Sequence, residues 1–562
     1  MYIAGMYIKI TTNQNGQSYY HLVESYRDQG KVRQRTLLSL GKVGEDRLDD
    51  LIAAIARHKE IFGLRQLAEA MSVEDTYILG PLLVIKQLFA RFGIDELLDD
   101  IARRHPKLTI DLRRVIFTLV VTRFIRPCSK LKVFEHWQDK LYPLMMSGKD
   151  ELHHLYRALD VLFAHKEEIE QRLFAHGRDL LSPPVDVVLY DLTTLRFEST
   201  REDLGELRRF GYSKEMRSDC TQVVLGLLVD PAGIPLGFEV YPGNTFEGAT
   251  LVDIVRRMRE KFCVRRFIFV ADRGLFSAAN LEHIRHGCGP AEKSSPPATG
   301  EFIVGMKLGV FKQRQDEFYD PSRFTRLSDD LSVYETTHGE DRCIITWSRA
   351  RAQRDAQTRA DILAKIERKL VATKTNAKRF VTNSNYRKYL SGLDQGKPQL
   401  NPQAIAQEAR RDGFFGIVTN VRELSAQQVV ATYKNLWIIE DAFGEIKGNL
   451  RARPIFHWSD ERIVGHLTLC FLAYFCEAQM TRLLRRHKAP LDSPAIDAEI
   501  IQPRALTVVE AMRELAEVRA IPVKVKDQTF WMRTDIKGNA ANLLRAIGAA
   551  IPPKLLNPPT PE

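Results

Sequence analysis

Apolar and polar residues follow two different periods through the middle of the chain. Five short, largely apolar runs have the length and residue types of buried strands. Two segments between these runs place apolar residues every three or four positions, which is typical of amphipathic helices. In chain order the elements are β-β-β-α-β-α-β. The strands are predicted at residues 186–193, 221–229, 234–241, 266–271 and 302–308, and the helices at 245–262 and 277–284.

The N-terminal part is predicted to be a β-meander followed by helices. Three strand-like stretches, residues 7–11, 18–27 and 31–40, are separated by turn residues. Their basic side chains form either a solvated face or a contact with a DNA backbone. The helices beyond them are either bundle helices or include a helix-turn-helix. These helices are predicted at residues 80–92, 95–104, 113–124, 130–142 and 152–174.

Beyond residue 308 the pattern predicts further strands and helices. A strongly basic helix follows a hairpin there, and it is either a solvated surface helix or a DNA-backbone contact. The C-terminal end has no function that we can assign from the sequence. The predicted elements are a hairpin at 331–337 and 343–348, the basic helix at 349–369, a strand at 414–419, helices at 433–450 and 461–487, and a terminal helix, hairpin and helix at 506–516, 521–533 and 539–549.

Two acidic residues lie within or directly after strands of the predicted sheet. Asp191 interrupts the apolar run of the first strand, and Asp272 ends the fourth. A buried carboxylate without a partner costs free energy, so an acid in such a run usually has one. Three meander strands followed by alternating helices and strands form the layout of a ribonuclease-H-like domain. Because the first and fourth strands are neighbours in that layout, Asp191 and Asp272 are expected to meet.

A third acid lies on the helix predicted at 433–450. Its apolar residues form one stripe, while Tyr433, Glu440 and Lys447 recur every seven residues. This spacing places Glu440 at the border of the core, partly buried beside the sheet. Asp441 and Glu445 are expected to point into solvent. An ordinary amphipathic helix with a mixed border is the alternative interpretation.

Composition and charge narrow the class of protein. The 562 residues suggest two to four domains, and 44% hydrophobic and 27% charged residues are typical of soluble globular chains. No apolar run reaches the roughly 20 residues of a membrane span, and no signal peptide is evident, so we expect a cytoplasmic protein. Seven scattered cysteines make a disulfide framework or a zinc site improbable. A net charge of +11 favours a polyanionic partner.

These residues together resemble an insertion-sequence DDE transposase of the insertion-sequence-four-like superfamily. The resemblance covers roughly residues 185–480. In the family's last motif an arginine stands three residues after the tyrosine, whereas this chain has Leu436 there, so Lys434 and Arg451 are the candidates to replace its phosphate contact. The matching segments are Tyr-Asp191-Leu-Thr-Thr, Gly243-Asn-Thr-Phe-Glu247, Val-Ala-Asp272-Arg-Gly274 and Tyr433…Glu440…Lys447.

The resemblance implies a site and a set of partners. Asp191, Asp272 and Glu440 would be catalytic and would bind two Mg²⁺ ions, with Mn²⁺ as a possible substitute, because hard cations prefer oxygen ligands. Tyr433 and Lys447 would hold phosphates of the end DNA. The implied partners are double-stranded DNA, as transposon end and as target, and a second copy of the chain in a homodimer.

Two further residues are candidates for DNA contact. Arg273 either holds a phosphate or braces Asp272. Trp347 either stacks on an extruded base, in the inserted subdomain that related transposases carry, or belongs to the core of its hairpin. Both assignments stay open on the sequence alone.

The predicted fold class is α/β: a ribonuclease-H-like mixed sheet flanked by helices, with an inserted β-rich subdomain, an N-terminal β-meander plus helical region, and a small C-terminal α+β module. The predicted function is cleavage of transposon ends and their joining to target DNA. A nuclease that does not join ends, and a DNA-binding descendant without catalysis, are the alternatives. The predicted parts are residues 1–60, 61–180, 181–308, 309–420, 421–488 and 489–562, of which 309–420 is the insertion.

Overall fold

Buried apolar runs form the centre of the largest sheet in the computed structural model. Every residue of the strands Gln222–Val229 and Phe267–Ala271 is buried, which explains why their sequences lack alternation. The structure describes residues 6–28, 31–42, 71–72, 75–146, 148–177, 186–202, 205–213, 217–262, 267–275, 277–286, 300–372, 384–392, 398–487, 506–525 and 528–556.

The chain divides into two compact units. The first comprises residues 1–77, 519–535 and 552–562, and the second comprises residues 78–518 and 536–551. The small terminal hairpin therefore belongs to the same unit as the N-terminal strands. The two helices that flank this hairpin in sequence belong to the second unit.

The first unit is built of two antiparallel sheets. Strands β1 (Met6–Thr12), β2 (Ser18–Asp28) and β3 (Lys31–Gly41) pair in chain order, which confirms the predicted meander. The second sheet contains the hairpin at the end of the chain, also as predicted. Its strands lie in the order Leu555–Leu556, Gln528–Arg533, Arg519–Val525 and Met71–Ser72.

A nine-stranded mixed sheet forms the middle of the second unit. Strand β4 is the third strand from one edge and runs parallel to β7, while β5 and β6 continue the sheet to that edge as an antiparallel meander. The predicted order β-β-β-α-β-α-β is confirmed. The elements are β4 (Asp186–Arg196), β5 (Gln222–Val229), β6 (Pro235–Pro242), β7 (Phe267–Ala271) and β8 (Glu301–Met306), with two helices, Glu247–Phe262 and Ala278–His286, between them.

The hairpin beyond β8 extends this sheet instead of forming a separate one. Strand β11 (Phe414–Thr419) pairs with β8 on one side and with the hairpin on the other. The hairpin strands are β9 (Leu331–His338) and β10 (Asp341–Ser348), and the two-residue strand Thr325–Arg326 ends the sheet. Sheet order from that edge is Thr325–Arg326, β9, β10, β11, β8, β7, β4, β5 and β6.

Helices pack on the sheet, and five of the longer ones precede its strands in the sequence. Two sequence predictions need correction here. The segment predicted as one helix at 152–174 is two helices that meet at His165, and the helix predicted at 130–142 is a succession of short α, π and 3₁₀ turns. Among the described residues, the α-helices of eight or more residues are α1 (Gly80–Arg91), α2 (Ile94–Arg104), α3 (Leu112–Ile125), α4 (Leu152–Ala164), α5 (Lys166–Gly177), α6 (Glu247–Phe262), α7 (Ala278–His286), α8 (Arg349–Ala372), α9 (Pro402–Ala409), α10 (Ala426–Lys434), α11 (Trp437–Lys447), α12 (Asp460–Arg486), α13 (Val508–Ala516) and α14 (Gly538–Ile547).

The long helix α12 is the central helix of the layer. By length and composition it could cross a membrane, but 89% of its most apolar segment is buried inside the protein. The core helix of a soluble domain has the same composition, so this helix is only weak evidence for a membrane span. Its ends agree with the sequence prediction to within one residue.

Candidate active site

Two of the three predicted acids lie on neighbouring strands. In the parallel pair of β4 and β7, Tyr190 is opposite Ala271, so the next residues lie side by side: Asp191 in the middle of β4 and Asp272 directly after the end of β7. Asp191 is half-buried, and one of its carboxylate oxygens accepts a hydrogen bond of 2.7 Å from the amide of Leu192. The predicted juxtaposition of these two acids is confirmed.

The segment that carries the third acid is not the single helix that the periodicity predicts. Helix α10 ends at Lys434 and α11 begins at Trp437. At the junction Leu436 donates its amide proton to the carbonyl of Tyr433, three residues back, and it is half-buried instead of lying in the core. Tyr433 and Glu440 therefore lie on different helices, and the seven-residue spacing does not align them.

Glu440 lies in the first turn of α11 and is exposed, although the sequence predicted partial burial. The junction accounts for the difference, because its backbone hydrogen bonds run three residues back instead of four, so the angular spacing from Tyr433 to Glu440 is not that of a continuous α-helix. The core face of α11 consists of Ile439, Ala442, Phe443 and Ile446.

All three acids line one cavity of 360 Å³. Carboxylate oxygens suit a hard divalent cation, so the chemistry of the donors fits Mg²⁺ or Mn²⁺. Within the part of the chain that the structure describes, however, no three His, Cys, Asp or Glu residues form a group close enough to hold an ion. Asp272 and Glu440 are exposed, so their side chains have room to turn toward Asp191.

Tyr433 contacts the site through Asp272. Its hydroxyl donates a hydrogen bond of 3.3 Å to Oδ1 of Asp272, and its ring packs on Phe415 with the centroids 5.1 Å apart. Burial, followed by the charge of Asp272, raises the pKa of the tyrosine well above its ordinary value. The hydroxyl therefore keeps its proton and remains a hydrogen-bond donor.

A glycine on β8 allows this contact. A Cβ added to Gly305 would lie 2.6 Å from the Tyr433 hydroxyl and 2.9 Å from the amide nitrogen of Arg273. Neither atom can move without disturbing the segment that carries Asp272. The close approach of three chain segments at this point therefore requires a residue without a side chain.

A second cavity of 400 Å³ adjoins the acids and carries basic residues. It is lined by the three acids together with Tyr433 and by side chains of the hairpin and of α8. Arg351 lies over the ring of Phe415, with its guanidinium carbon 4.8 Å from the centroid. The cationic residues that line this cavity are Lys434, Arg351 and Arg354.

Sequence reasoning placed Arg351 and Arg354 only within a long basic helix, without linking them to the acids. Their spacing of three residues, directly after the hairpin strand β10, is the local signal that they share one face of α8. Arg359 on the same helix pairs with Asp412, so the basic residues of α8 are not equivalent.

Four predicted DNA-contact residues do not line these two cavities. Arg273 is exposed in the 3₁₀ turn after Asp272, and Lys447 is half-buried at the end of α11. Trp347 is half-buried beside Gly413, in register with Phe414, which agrees better with a packing role than with a free stacking surface. Arg451 lines a different cavity, described below.

Glu445 differs from its predicted position, because it is half-buried and faces α12 instead of solvent. Burial and the neighbouring charge of Glu445 raise the pKa of Glu477 on α12 from 4.5 to about 7. Thr481 donates a hydrogen bond of 3.0 Å to the Glu477 carboxylate. Asp441, the other residue expected in solvent, is exposed.

This raised pKa predicts how stability depends on pH. Between pH 4.5 and about 7 the folded chain keeps the Glu477 proton that the unfolded chain releases, so the free energy of unfolding falls as the pH rises through this window. Across this window, the free energy of unfolding of Glu477→Gln is expected to fall by about 1–3 kcal/mol less than that of wild type. Melting temperatures across the window measure it, with Glu461→Gln, an exposed acid on the same helix, as the matched control. Equal pH profiles for wild type and Glu477→Gln would contradict the assignment.

Two family models match the sequence. The model of the transposase DDE domain matches residues 182–476, and that of the IS1634 family transposase N-terminal domain matches residues 8–69. The first match covers more than half of the chain and includes all three acids. No curated protein sequence matches the chain.

Proposed function

Because the chain belongs to the DDE transposase family and is an enzyme that acts on DNA, we propose that Asp191, Asp272 and Glu440 form its catalytic site. The observation that supports this proposal is that the three acids, from two strands and a helix, line the same cavity. The reaction is cleavage of transposon ends and joining of the freed 3′ ends to target DNA. Water and a DNA 3′-hydroxyl are similar nucleophiles, so one site can serve both steps.

The three carboxylates are the proposed ligands of two Mg²⁺ ions, for which Mn²⁺ can substitute. When bound, such ions neutralise charge at the scissile phosphate and lower the pKa of the attacking hydroxyl. The protein's own groups position the substrate: Lys434, Arg351 and Arg354 face the adjoining cavity, where they can bind backbone phosphates. We further propose that Lys447 and Arg273 bind phosphates of the end DNA from outside these cavities.

We also propose that the large sheet and its helices form a ribonuclease-H-like core. The order of β4 to β8, with β4 parallel to β7, supports a ribonuclease-H-like core. On this basis we keep the six-part division, in which residues 309–420 are inserted between the second aspartate and the glutamate. We also propose a cytoplasmic, nucleoid-associated protein that acts as a homodimer, since two transposon ends must be brought together.

A transposition assay tests the function. Linear DNA that ends in the inverted repeats flanking the coding region is incubated with the protein, Mg²⁺ and a supercoiled target plasmid. We expect cleaved ends and joined products. Cleavage without joining would indicate a nuclease, and binding without cleavage would indicate a non-catalytic descendant.

The contact between Tyr433 and Asp272 leads to a separate prediction. Tyr433→Phe removes the hydroxyl but keeps the ring on Phe415, so the fold should be unchanged. Because a hydrogen bond to a charged group contributes about 1.5–3 kcal/mol, we expect cleavage to slow by about 10-fold or more. We also expect a higher Mn²⁺ concentration to be needed for half-maximal rate.

The control for this variant is Tyr212→Phe, because Tyr212 is 88% exposed. An unchanged Mn²⁺ dependence in Tyr433→Phe, together with weaker DNA binding, would show that the tyrosine contacts phosphate instead of positioning Asp272.

A further inference from the structure

A third cavity, of 590 Å³, lies where the chain leaves α11, and half of the residues that line it are lysine, arginine or histidine. Lys130 and Arg123 are buried, Lys132 and Arg451 are exposed, and none of the residues that line it is acidic. We name it the basic cavity. Its basic and histidine side chains are those of Arg123, Lys130, Lys132, Arg451, Arg453, His457 and His466.

Lys130 is buried, with 3% of its surface exposed, and its ammonium nitrogen contacts only basic or neutral groups. It lies 2.9 Å from Nδ1 of His466 and 3.3 Å from Nε2 of His457. Burial, followed by the charge of Arg123, lowers the pKa of Lys130 well below its ordinary value. Lys130 forms no ion pair with any carboxylate of the described chain.

Arg123 is the second buried cation, with 6% of its surface exposed. One of its nitrogens donates hydrogen bonds of 3.2 Å to the carbonyls of Leu450 and Arg451, and another lies 3.4 Å from His466. These contacts hold the segment after α11, in which Arg451 adopts the left-handed backbone conformation, with φ of 46°. Arg123 thus fixes the wall that presents Arg451 to the cavity.

Two buried cations without a counter-anion are costly. The cost is avoided if the lysine gives up its proton, or if an anion enters and pairs with both cations. The cavity favours entry of an anion, because the exposed side chains of Lys132, Arg451 and Phe456 form its rim and a ligand can enter from solvent. A phosphate group suits such a site, since it is anionic and accepts several hydrogen bonds.

The basic cavity is also linked to the acids through β4. Ile455 donates its amide proton to the carbonyl of Arg196, the last residue of that strand. Asp191 lies five residues earlier, which is roughly 16 Å along a strand. A duplex advances about 3.4 Å along its axis per base pair, so a separation of this size is within the span of a few nucleotides, and DNA bound at the acids can reach the cavity.

We propose that the basic cavity binds a backbone phosphate of the DNA substrate at a distance from the bond that is cut. This inference deepens the proposed function, since it assumes DNA as the substrate, but it does not depend on the three acids. The contact carries no sequence information and sets the register of the DNA on the protein.

Binding experiments without metal ions test this site apart from catalysis. Fluorescence anisotropy of a labelled duplex, in EDTA and over a range of salt concentrations, compares the full-length wild type with Lys130→Met and Arg451→Asn. Asparagine tolerates the left-handed conformation of residue 451, so the second variant should fold even if the first does not. Each variant is expected to bind about 10-fold more weakly, with a salt slope lower by about one. Arg103→Ala, which removes an exposed charge on α2, is the matched control.

Inorganic phosphate distinguishes a DNA contact from a site for free anions. At constant ionic strength, phosphate is expected to raise the melting temperature of wild type and not that of Lys130→Met. If phosphate stabilises wild type but neither variant changes the salt slope, the site binds an anion other than DNA and the proposal is wrong. If neither effect occurs, Lys130 is a neutral structural residue and the proposal is equally wrong. Because the binding measurements are made in EDTA, neither wild type nor the variants cleave DNA, so loss of catalysis cannot imitate either result.

Discussion

Replacing any one of Asp191, Asp272 and Glu440 with its amide is expected to reduce both cleavage and joining of transposon ends by at least about 10³-fold. Each substitution removes one anionic oxygen ligand while keeping the size of the side chain. Loss of charge stabilisation worth about 4 kcal/mol at the scissile phosphate corresponds to this factor. Both steps should fail together, because one set of carboxylates serves them.

The measurement uses end-bearing DNA with Mg²⁺ and, separately, with Mn²⁺. Asp441→Asn is the matched control, since Asp441 is exposed beside Glu440 and lies outside the cavity of the three acids. Its activity should stay within about two-fold of wild type. Normal transposition by Glu440→Gln would show that Glu440 is not catalytic, and the third acid of the site would then have to be sought elsewhere.

Among the variants described, Glu170→Gln is expected to have the largest decrease in the free energy of unfolding. This residue of α5 is fully buried, and its carboxylate lies 3.0 Å from Lys166 and 3.0 Å from Lys261. It also accepts a hydrogen bond of 3.0 Å from the amide of Phe238 on β6, an edge strand whose outer amides have no ladder partner. Glu170 thus joins two helices to the edge of the sheet.

The same cluster contains a second carboxylate, Glu239, which pairs with Lys261 at 2.7 Å and with Arg257 at 3.0 Å. Burial lowers the pKa of Lys261, but the two carboxylates outweigh it and raise the pKa above its ordinary value. Glu170→Gln leaves more buried positive charge than negative charge. Breaking such a buried pair costs about 3–5 kcal/mol, so we expect the melting temperature to fall by at least about 5 °C.

Thermal denaturation by circular dichroism measures this effect. The control is Asp329→Asn, which breaks an ion pair in which the aspartate side chain is 99% exposed, and which should change the melting temperature by less than about 1 °C. Equal melting temperatures for Glu170→Gln and wild type would show that the buried cluster is replaceable by neutral hydrogen bonds.

Much of the sheet was predictable because strand formation depends on short-range pattern. The run in β7 is wholly apolar and ends at Asp272, so its length, burial and final acid are all evident in five or six letters. The meeting of Asp191 and Asp272 follows from the order of the elements, since the two strands are parallel neighbours that pair from their first residues, and each acid is the sixth residue of that register.

The glutamate helix was less predictable. Its apolar spacing continues without interruption across Leu436, yet the backbone makes a turn there and starts a new helix at Trp437. Periodicity records which residues face the core and does not record a local change from four-residue to three-residue backbone hydrogen bonds. The predicted burial of Glu440 was therefore wrong, since its side chain is exposed.

The local order of residues was thus sufficient to determine the main strands, the placement of one aspartate in the first and one directly after the fourth of them, and the family of the protein, because each depends on neighbours in sequence. Tertiary packing alone decided that Tyr433 donates to Asp272, that Gly305 leaves room for this contact, and that Lys130 meets His466 in a basic cavity. In each of these pairs the partners are more than 100 positions apart. Whether two groups so far apart in the sequence come within a few ångströms of each other is determined only by the folded chain.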